Sequence, residues 1–312
     1  MSQEPSDTSG RLRIAVVIAT VHRPDDVVRA VESVLACTYP SFEVLVVDQS
    51  SKGAATAELD RYEADGRIRR LAVAEPRLSR ALNTGAAHTD ADVVAITGDD
   101  CVVPADWLDR VERVLTAGEA VAVAFGSVRA GPCDPQEGFV PGCVIEREVL
   151  AKSVEDIHEL SGTTACMLLR TEAWRALGGF DESLGLGGPL RSGEDLDLAL
   201  RALRAGKHVL QTPAVEVEHL TPVTWSERRG VVRRNWYGSG AAFAKALKLA
   251  PGPTARALGR LATRWRGGGS GVAATYGTKP ARGAMLVGFG SGFLIGLLWP
   301  ISRRTGMFRR FR

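Results

Sequence analysis

The feature that most constrains the fold of this chain is an alternation of short apolar runs with helical stretches over residues 12–97. The runs are rich in β-branched residues and apolar on both faces, as in strands buried inside a sheet; they read "LRIAVVIAT", "FEVLVVDQS", "IRRLAVA" and "DVVAIT". Between them, "RPDDVVRAVESVLACT", "AATAELDRYEAD" and "LSRALNTGAAHT" have apolar residues near the helical period. This alternation predicts a mostly parallel sheet with helices on its faces.

The rest of the 312-residue chain is less regular, and the length suits a large α/β domain with an appendage. Strands are predicted for "AVAVAFGSV", "TTACMLL" and "HVLQTPAVEVEHL", the last as several short strands. Helices are predicted for "TEAWRALGG" and "GEDLDLALRALRAG", and residues 129–159 predict loops. From Ser226 the pattern is helical and basic, with a flexible break at "RWRGGGSG".

Charge is distributed unevenly along the chain, although the net charge is only +3. Residues 226–312 contain 17 Lys and Arg and a single acid, Glu227, whereas the other residues contain 22 bases and 35 acids. An acidic body with a basic tail indicates a polyanionic partner, either nucleic acid or an anionic membrane face.

Cysteine usage and the first residues bear on the compartment. The five cysteines form no CxxC pair and are odd in number, which favours small buried side chains in a reducing cytosol over a disulfide framework. Residues 1–10, "MSQEPSDTSG", are polar and predict a disordered N-terminus without a signal peptide.

Three acids stand where predicted strands end. Asp48 ends the second run, and Asp99 and Asp100 follow the fourth. Ligands of open α/β sheets bind beyond the carboxyl ends of the strands, and clustered carboxylates there suit a divalent cation that bridges a phosphate. No GxxxxGK[ST] or GxGxxG motif occurs, which argues against P-loop enzymes and dinucleotide dehydrogenases. The alternative is a pair of solvated loop acids.

The order of the motifs resembles the family 2 glycosyltransferases, which have the glycosyltransferase A-type fold. The resemblance rests on the segment from "VVIATVHRPDD" to "VVDQSS", then the Gly-Asp-Asp turn, "GGFDE" and "GEDLDLALRALRAG", and covers about residues 11–220. It implies an inverting transfer of a sugar from a nucleotide-sugar donor to a hydroxyl acceptor, assisted by Mn²⁺ or Mg²⁺. The acceptor is either lipid-linked or another glycan.

The resemblance also implies roles for individual residues in the first half. Those that match the family's nucleotide-sugar contacts are Thr20, Arg23, Asp48, Arg80, Asn83, Gly85 and Asp99. Asp100 matches the metal ligand, and His219 matches a histidine near the metal, with a lone structural histidine as the alternative. The sequence departs from the family pattern at Gly98, which stands in place of the first acid of a three-acid run.

Residues of the second half match the acceptor side and the catalytic pair. Gly179, Phe180 and Asp181 match the loop that shapes the acceptor side, and Trp236 either stacks on a sugar or packs. Glu194 and Asp195 match the family's Glu-Asp pair, in which the aspartate is the general base; a carboxylate can remove the hydroxyl proton as the new bond forms. The alternative for Asp195 is an acid that stabilises the first turn of a helix.

The tail contains 18 residues without charge, 284–301, between two basic clusters. Gly288, Gly292 and Gly296 recur every four residues, as on the close-packing faces of membrane helices. Since a single span would place one basic cluster outside, we expect either a helix in the interface of an anionic cytoplasmic membrane surface or a re-entrant dip into it. The alternative is a soluble, packed C-terminal helix.

These expectations give a division of the chain and two competing functions. We predict a catalytic domain at residues 11–225, with a nucleotide half at 11–128 and an acceptor half at 129–225, followed by a basic helical tail at 226–312. A nucleotidyltransferase and a membrane-tethered scaffold with a decayed site are the alternatives to the glycosyltransferase. No nucleic-acid partner is expected, and the sequence leaves the oligomeric state open.

Overall fold

The computed structural model describes residues 10–50, 57–117, 121–266 and 281–309. The predicted disordered N-terminus lies outside these residues except for Gly10, as do most of the predicted break at "RWRGGGSG" and the tail bases Lys279, Arg310 and Arg312.

Strands and helices alternate through the first part of the chain, as predicted, and helices dominate its end. The strands are β1 (Ile14–Thr20), β2 (Phe42–Asp48), β3 (Arg69–Ala72), β4 (Val93–Gly98), β5 (Cys101–Val102), β6 (Val121–Ala130), β7 (Gly138–Phe139), β8 (Val149–Ala151), β9 (Cys166–Arg170), β10 (His208–His219) and β11 (Val223–Thr224). The α-helices are α1 (Pro24–Leu35), α2 (Ala57–Ala64), α3 (Leu78–Ala87), α4 (Trp107–Thr116), α5 (Thr171–Leu177), α6 (Glu194–Arg204), α7 (Arg228–Leu249), α8 (Pro251–Arg266) and α9 (Arg282–Leu298).

A single large sheet carries most of the strands, in the order β3-β2-β1-β4-β9-β6-β10-β5, with β8 also paired to β10. Neighbours among β3, β2, β1 and β4 are parallel, and β6 and β10 are parallel to each other. Because β9 is antiparallel to both β4 and β6, all six of these strands run in one direction. The mostly parallel mixed sheet is therefore confirmed.

Burial on both faces explains why the four early apolar runs form strands. Ile14, Val16 and Ile18 of β1 join a fully buried cluster that includes the apolar face of α1. Ala15 and Val17 point the other way and join the cluster that includes the buried face of α3. Alternate side chains of one strand thus fill two cores, since successive residues of a strand face opposite sides of the sheet.

The run "HVLQTPAVEVEHL" forms one strand, so its prediction as several short strands is wrong. β10 pairs with β6 on both sides of a bulge, with Gln211 opposite Phe125 before it and Glu216 opposite Ser127 after it. Pro213 lies in this bulge, where its missing N–H breaks no ladder hydrogen bond.

The predicted basic helical C-terminal part is present, and it packs into the main core. Ala242, Phe243 and Ala246 of α7 are buried in the same cluster as Val17 of the sheet. Among the described helices, none is both long enough and apolar enough to cross a membrane. The boundary at residue 225 stays a prediction.

The three spaced glycines of α9 face α7 and allow the two backbones to touch. A Cβ would lie 2.4 Å from the Arg233 carbonyl at Gly288, 1.9 Å from the Tyr237 carbonyl at Gly292, and 2.8 Å from Ala241 Cα at Gly296. The glycines of α9 and the α7 residues that they contact both recur every four residues and in the same order. The helix α9 therefore runs alongside α7 in the same direction. The small-residue face predicted for membrane packing serves intramolecular packing here.

Candidate active site

The carboxyl ends of three parallel strands bring the predicted acids together. Thr20 at the end of β1 lies opposite Asp48 at the end of β2. Ala19 lies opposite Gly98 at the end of β4, so Asp99 and Asp100 follow at the same edge of the sheet. The crevice beyond the carboxyl ends, where ligands of open α/β sheets bind, therefore contains the predicted acids.

Arg23 and Thr20 hold the acidic pair. The Thr20 hydroxyl donates a hydrogen bond of 2.8 Å to Asp99, and Arg23 Nη1 donates to Asp99 at 3.2 Å and to Asp100 at 2.6 Å. Burial, with the neighbouring Asp100 charge, raises the pKa of Asp99 despite these two donors. Arg23 therefore supplies the positive charge that lets both carboxylates stand at one strand end.

His219 faces Asp100 across the pairing of β10 with β5. His219 lies opposite Cys101 in this antiparallel pair, and its Nε2 is 3.1 Å from the Asp100 carboxylate. Its Nδ1 lies 2.8 Å from the Pro141 carbonyl, which can only accept, so Nδ1 carries a proton. Burial alone would raise the pKa of Asp100, but His219 and then Arg23 outweigh it and lower that pKa to about 2.

Asp100 and His219 are the residues here that fit a divalent cation. Among the residues that the structure describes, no cluster of three or more His, Cys, Asp and Glu is placed to hold a metal. Two protein ligands suit a cation that takes its other ligands from the phosphates of a bound nucleotide and from water. Burial alone would lower the pKa of His219, but its hydrogen bond to Asp100 and the Asp100 charge outweigh it and raise that pKa. His219 can therefore bind a metal through Nε2 only after this nitrogen releases its proton, while the hydrogen bond from Nδ1 to the Pro141 carbonyl holds the ring.

Gly98 has a steric reason to replace the first acid of the family's run. A Cβ at this position would lie 2.7 Å from Asp100 Oδ1 and 3.1 Å from Cys101 Sγ. A side chain at residue 98 would therefore require the Asp100 carboxylate, which lies beside His219, to shift. The glycine leaves room for Asp100 Oδ1 in its present position.

The three predicted nucleotide contacts on α3 make protein contacts in this structure. Asn83 Nδ2 donates to the Phe180 carbonyl at 2.9 Å, and the Phe180 N–H donates to Asn83 Oδ1 at 2.7 Å. Arg80 donates to Glu182 at 3.0 Å, and a Cβ at Gly85 would lie 2.5 Å from a β1 side chain. These residues fix α3 to the predicted acceptor loop and to the sheet; their role in nucleotide binding stays a prediction.

The predicted acceptor-side residues lie in a tightly packed loop. Gly179 has a φ of 77°, and Phe180 and Asp181 are buried. The Asp181 carboxylate pairs with Lys245 at 2.5 Å. Trp236 is buried, with its ring 6.1 Å from that of Phe289, so packing is the alternative that its contacts support. The direct acceptor role of these residues stays a prediction.

The Glu-Asp pair opens α6 after Gly193, whose φ of 84° is left-handed. Thr164 donates to Glu194 at 3.3 Å, and the Leu196 N–H donates to Asp195 at 2.7 Å. Burial raises the pKa of both carboxyls, and the adjacent Asp195 charge raises that of Glu194 further. The pair therefore retains a proton to higher pH than isolated carboxyls do.

The pairing of β9 with β4 brings the Glu-Asp pair to the sheet edge of the metal-ligand candidates. Cys166, the first residue of β9, lies opposite Thr97 near the carboxyl end of β4. Thr164, two residues before Cys166, is the hydroxyl donor to Glu194. Glu194 and the adjacent Asp195 therefore lie at the edge of the sheet that carries Asp100.

A buried cluster of four charges behind this site was not predicted. Lys245, 1% exposed, lies 2.5 Å from Asp181 and 2.7 Å from Asp197. Arg201 pairs with Asp197 at 2.9 Å and donates to the Gly179 carbonyl at 2.7 Å. The i, i+4 spacing of Asp197 and Arg201 could have indicated an ion pair on the helix. The lone lysine inside the apolar run "AAFAKAL" could likewise have indicated a buried charge.

Comparison with known proteins gives both a family and relatives. The profile of the family described as "Glycosyl transferase family 2" matches residues 15–175. The chain is 30% identical over 226 residues to the O-antigen biosynthesis protein RfbC of Myxococcus xanthus, covering 67% of this chain and 17% of RfbC. It is 24% identical over 220 residues to the glucosyl-dolichyl phosphate glucuronosyltransferase of Haloferax volcanii, covering 67% of this chain and 69% of that one. The chain thus spans about a sixth of the length of RfbC.

Solved structures share the fold at low sequence identity. The mannosyltransferase PcManGT from Pyrobaculum calidifontis, in complex with GDP-Man and Mn²⁺, aligns with a TM-score of 0.58 and 19% identity over 95% of this chain and 91% of that one. S. aureus TarS 1-349 aligns with a TM-score of 0.60 and 14% identity over 92% and 81% of the two chains. Both resemblances are to the glycosyltransferase A-type fold. Since the family profile covers more than half of its residues, the chain belongs to glycosyl transferase family 2.

Proposed function

We propose that this protein transfers a sugar from a nucleotide-sugar donor to a hydroxyl acceptor, with inversion at the anomeric carbon. The observation that carries the proposal is the placement of two sites at one edge of the sheet. Asp99, Asp100 and His219 form the first, and the Glu194–Asp195 pair, with raised pKa values, forms the second. Carboxyls with shifted pKa values in a cleft are candidates for acid–base roles.

Asp100 and His219 would hold the divalent cation, Mn²⁺ or Mg²⁺, together with the donor. When bound, the cation would compensate the charge that develops on the leaving nucleoside diphosphate. The Arg23 guanidinium, whose side chain is 43% exposed, is placed to contact the same diphosphate. Among the described residues, no third His, Cys, Asp or Glu joins Asp100 and His219 in a group that could hold a metal. The cation would therefore take further ligands from the nucleotide phosphates, so we infer that metal and nucleotide bind together.

Asp195 would act as the general base. As the acceptor oxygen attacks the anomeric carbon, its proton passes to Asp195. The bond between that carbon and the diphosphate oxygen breaks, and the electron pair leaves with the diphosphate. A single displacement of this kind inverts the anomeric configuration. Glu194 stands beside the base, and burial with the adjacent Asp195 charge raises the pKa of Glu194.

The relatives support a glycan acceptor of the cell envelope. RfbC is named for O-antigen biosynthesis, and the Haloferax volcanii relative is named for transfer onto a glucosyl-dolichyl phosphate. We therefore propose a glycan or lipid-linked acceptor at the cytoplasmic face of a membrane. The basic C-terminal part supports an anionic membrane surface as a further partner.

The family membership and the geometry of Gly98 favour this function over its alternatives. The family profile that matches this chain describes glycosyl transferases, not nucleotidyltransferases. The scaffold alternative rested on Gly98 as a sign of decay, yet a side chain at this position would displace Asp100.

A screen for release of nucleoside diphosphate tests the proposal. Purified protein would be incubated with UDP- and GDP-sugars, with and without Mn²⁺, and with glycan or lipid-phosphate acceptors. Asp195→Asn is the matched variant, since it keeps the side-chain shape without a basic carboxylate. We expect metal-dependent release with at least one donor that requires Asp195. Release at the same rate by the variant would contradict the role of Asp195, and no release with any donor would contradict the transfer itself.

A further inference from the structure

One side of α9 carries large apolar side chains that solvent reaches. They are Leu286 at 59% exposure, Val287 at 60%, Leu294 at 64%, Leu297 at 38% and Leu298 at 81%, and we call them the α9 outer face. With 3.6 residues per turn, they lie opposite the three buried glycines that contact α7. Large apolar side chains exposed together on one side of a helix mark an interaction surface.

Positive charges stand at both ends of the α9 outer face. Arg282 begins the helix, and Arg303, Arg304 and Arg309 follow its end. The sequence contains no Asp or Glu after Glu227, so no acid in this part of the chain offsets these cations.

The arrangement fits an anionic lipid bilayer better than a second protein copy. Two copies joined through their α9 outer faces would bring clusters of like charge together, which costs binding free energy. A bilayer offers an apolar layer to the leucines and anionic headgroups to the arginines at the same time.

The helix is suited to lie in the interface rather than to cross it. Its 17 residues span about 26 Å at about 1.5 Å per residue, short of the hydrocarbon thickness of about 30 Å. Its opposite side is packed along α7, which carries Arg233 and Arg234 next to the contact.

We propose that the α9 outer face docks on an anionic bilayer, with the helix parallel to the membrane plane. The α9 outer face would thus be the surface through which the protein contacts the membrane named under the proposed function. The docking itself does not depend on that function, but the purpose given to it, access to a lipid-linked acceptor, does. Docking would keep the protein at the surface where a lipid-linked acceptor is located.

Sedimentation with lipid vesicles tests the docking surface. The full chain would be mixed with vesicles of phosphatidylcholine alone or of equal parts phosphatidylcholine and phosphatidylglycerol. We expect binding only to the anionic vesicles. The Leu294→Gln/Leu298→Gln variant should bind at least about 100-fold more weakly, since it loses two inserted side chains. Its matched control is Val144→Gln/Leu186→Gln, two exposed apolar residues elsewhere, which should bind like the wild type.

A second pair of variants tests the charges. Arg303→Gln/Arg304→Gln should weaken binding about 30-fold at low salt, since each cation near an anionic surface contributes about fivefold. Arg61→Gln/Arg67→Gln makes the same change in charge near the β3 edge of the sheet and should have little effect. If both arginine double variants lost the same amount of vesicle binding, the protein would be attracted to the membrane by its overall charge and not through a defined face. That result would overturn the proposal.

Three further results would count against the docking surface. One is a wild-type protein that does not sediment with anionic vesicles. Another is unchanged vesicle binding by the Leu294 and Leu298 variant. The third is a dimer in buffer that this variant abolishes while vesicle binding stays intact. Donor turnover measured on the same samples separates the two proposals, because a protein that binds vesicles but turns over no donor contradicts only the glycosyl transfer.

Discussion

At the scale of single residues, the site depends on a few atoms whose neighbours fix their charge and position. Asp100 is held between Arg23 and His219, and the absence of a side chain at Gly98 keeps that position open. Asp195 stands beside a second carboxyl, Glu194, and burial raises the pKa of both. Each of these features leads to a measurable effect.

Restoring the acid that the family pattern has at residue 98 should weaken the site. We expect Gly98→Asp to lower metal-dependent affinity for UDP or GDP, because its Cβ would force Asp100 away from His219. Titration calorimetry with and without Mn²⁺ measures this. Gly259→Asp is the matched control, since a Cβ at this exposed position meets nothing within 4 Å. Tighter metal-dependent binding by Gly98→Asp would show that a missing acid limits the site.

The pH dependence of turnover should report the raised pKa of Asp195. Burial is the main cause that raises this pKa to about 6, so Asp195 is a carboxylate above that pH and protonated below it. At saturating donor and metal, kcat should be level at higher pH and fall roughly tenfold per pH unit below about 6. The acidic limb should be absent in Asp195→Asn. A wild-type midpoint near the ordinary Asp value of about 3.9 would contradict the buried base.

At the scale of elements, the four buried charges join α6, α7 and the predicted acceptor loop. Lys245 of α7 contacts Asp181 of the loop and Asp197 of α6. The Phe308 N–H, beyond α9, also donates to Asp181, at 2.7 Å. The predicted acceptor loop is thus held by Lys245 and Phe308, which follow it in the chain by more than sixty residues.

Removing the central cation of this cluster should be strongly destabilising. Lys245→Met leaves two buried carboxylates opposite one arginine, and we expect a loss of about 3–5 kcal/mol in the free energy of unfolding. Lys248→Met, on the same helix, removes an exposed lysine that donates to the Leu297 and Trp299 carbonyls, and should cost about 1 kcal/mol. Urea denaturation compares the two variants. Equal small losses would mean that the buried cluster contributes little to stability.

The sequence allowed most elements to be predicted, but not the contacts that depend on tertiary pairing. β1 to β4 follow from apolar runs whose two faces are both buried. The contact of His219 with Asp100 depends on β5 pairing with β10 across more than a hundred residues, which no local pattern encodes. Lys245 counted as one more tail cation, because charge alone does not distinguish a buried lysine from an exposed one. The glycine spacing of α9 indicated close helix packing but not that α7 was the partner.

At the scale of the whole molecule, the mostly parallel sheet brings the two candidate sites to one edge. The ends of β2 and β4 carry Asp48, Asp99 and Asp100 of the first site, which His219 of β10 joins. The first turn of α6 carries Glu194 and Asp195 of the second. The C-terminal helices join the core with their buried face. The two carboxylates Asp100 and Asp195 are therefore proposed to have separable tasks in one unit.

The most direct test of this claim is a paired measurement of nucleotide binding and sugar transfer in Asp100→Ala and Asp195→Asn. We expect Asp195→Asn to keep metal-dependent binding of the nucleoside diphosphate and to lose about 10²–10⁴-fold in turnover. Asp100→Ala should lose metal-dependent binding while remaining folded, because Asp100 lies at a strand end rather than in the core. Unchanged metal-dependent affinity in Asp100→Ala, or near-normal transfer by Asp195→Asn, would contradict the account.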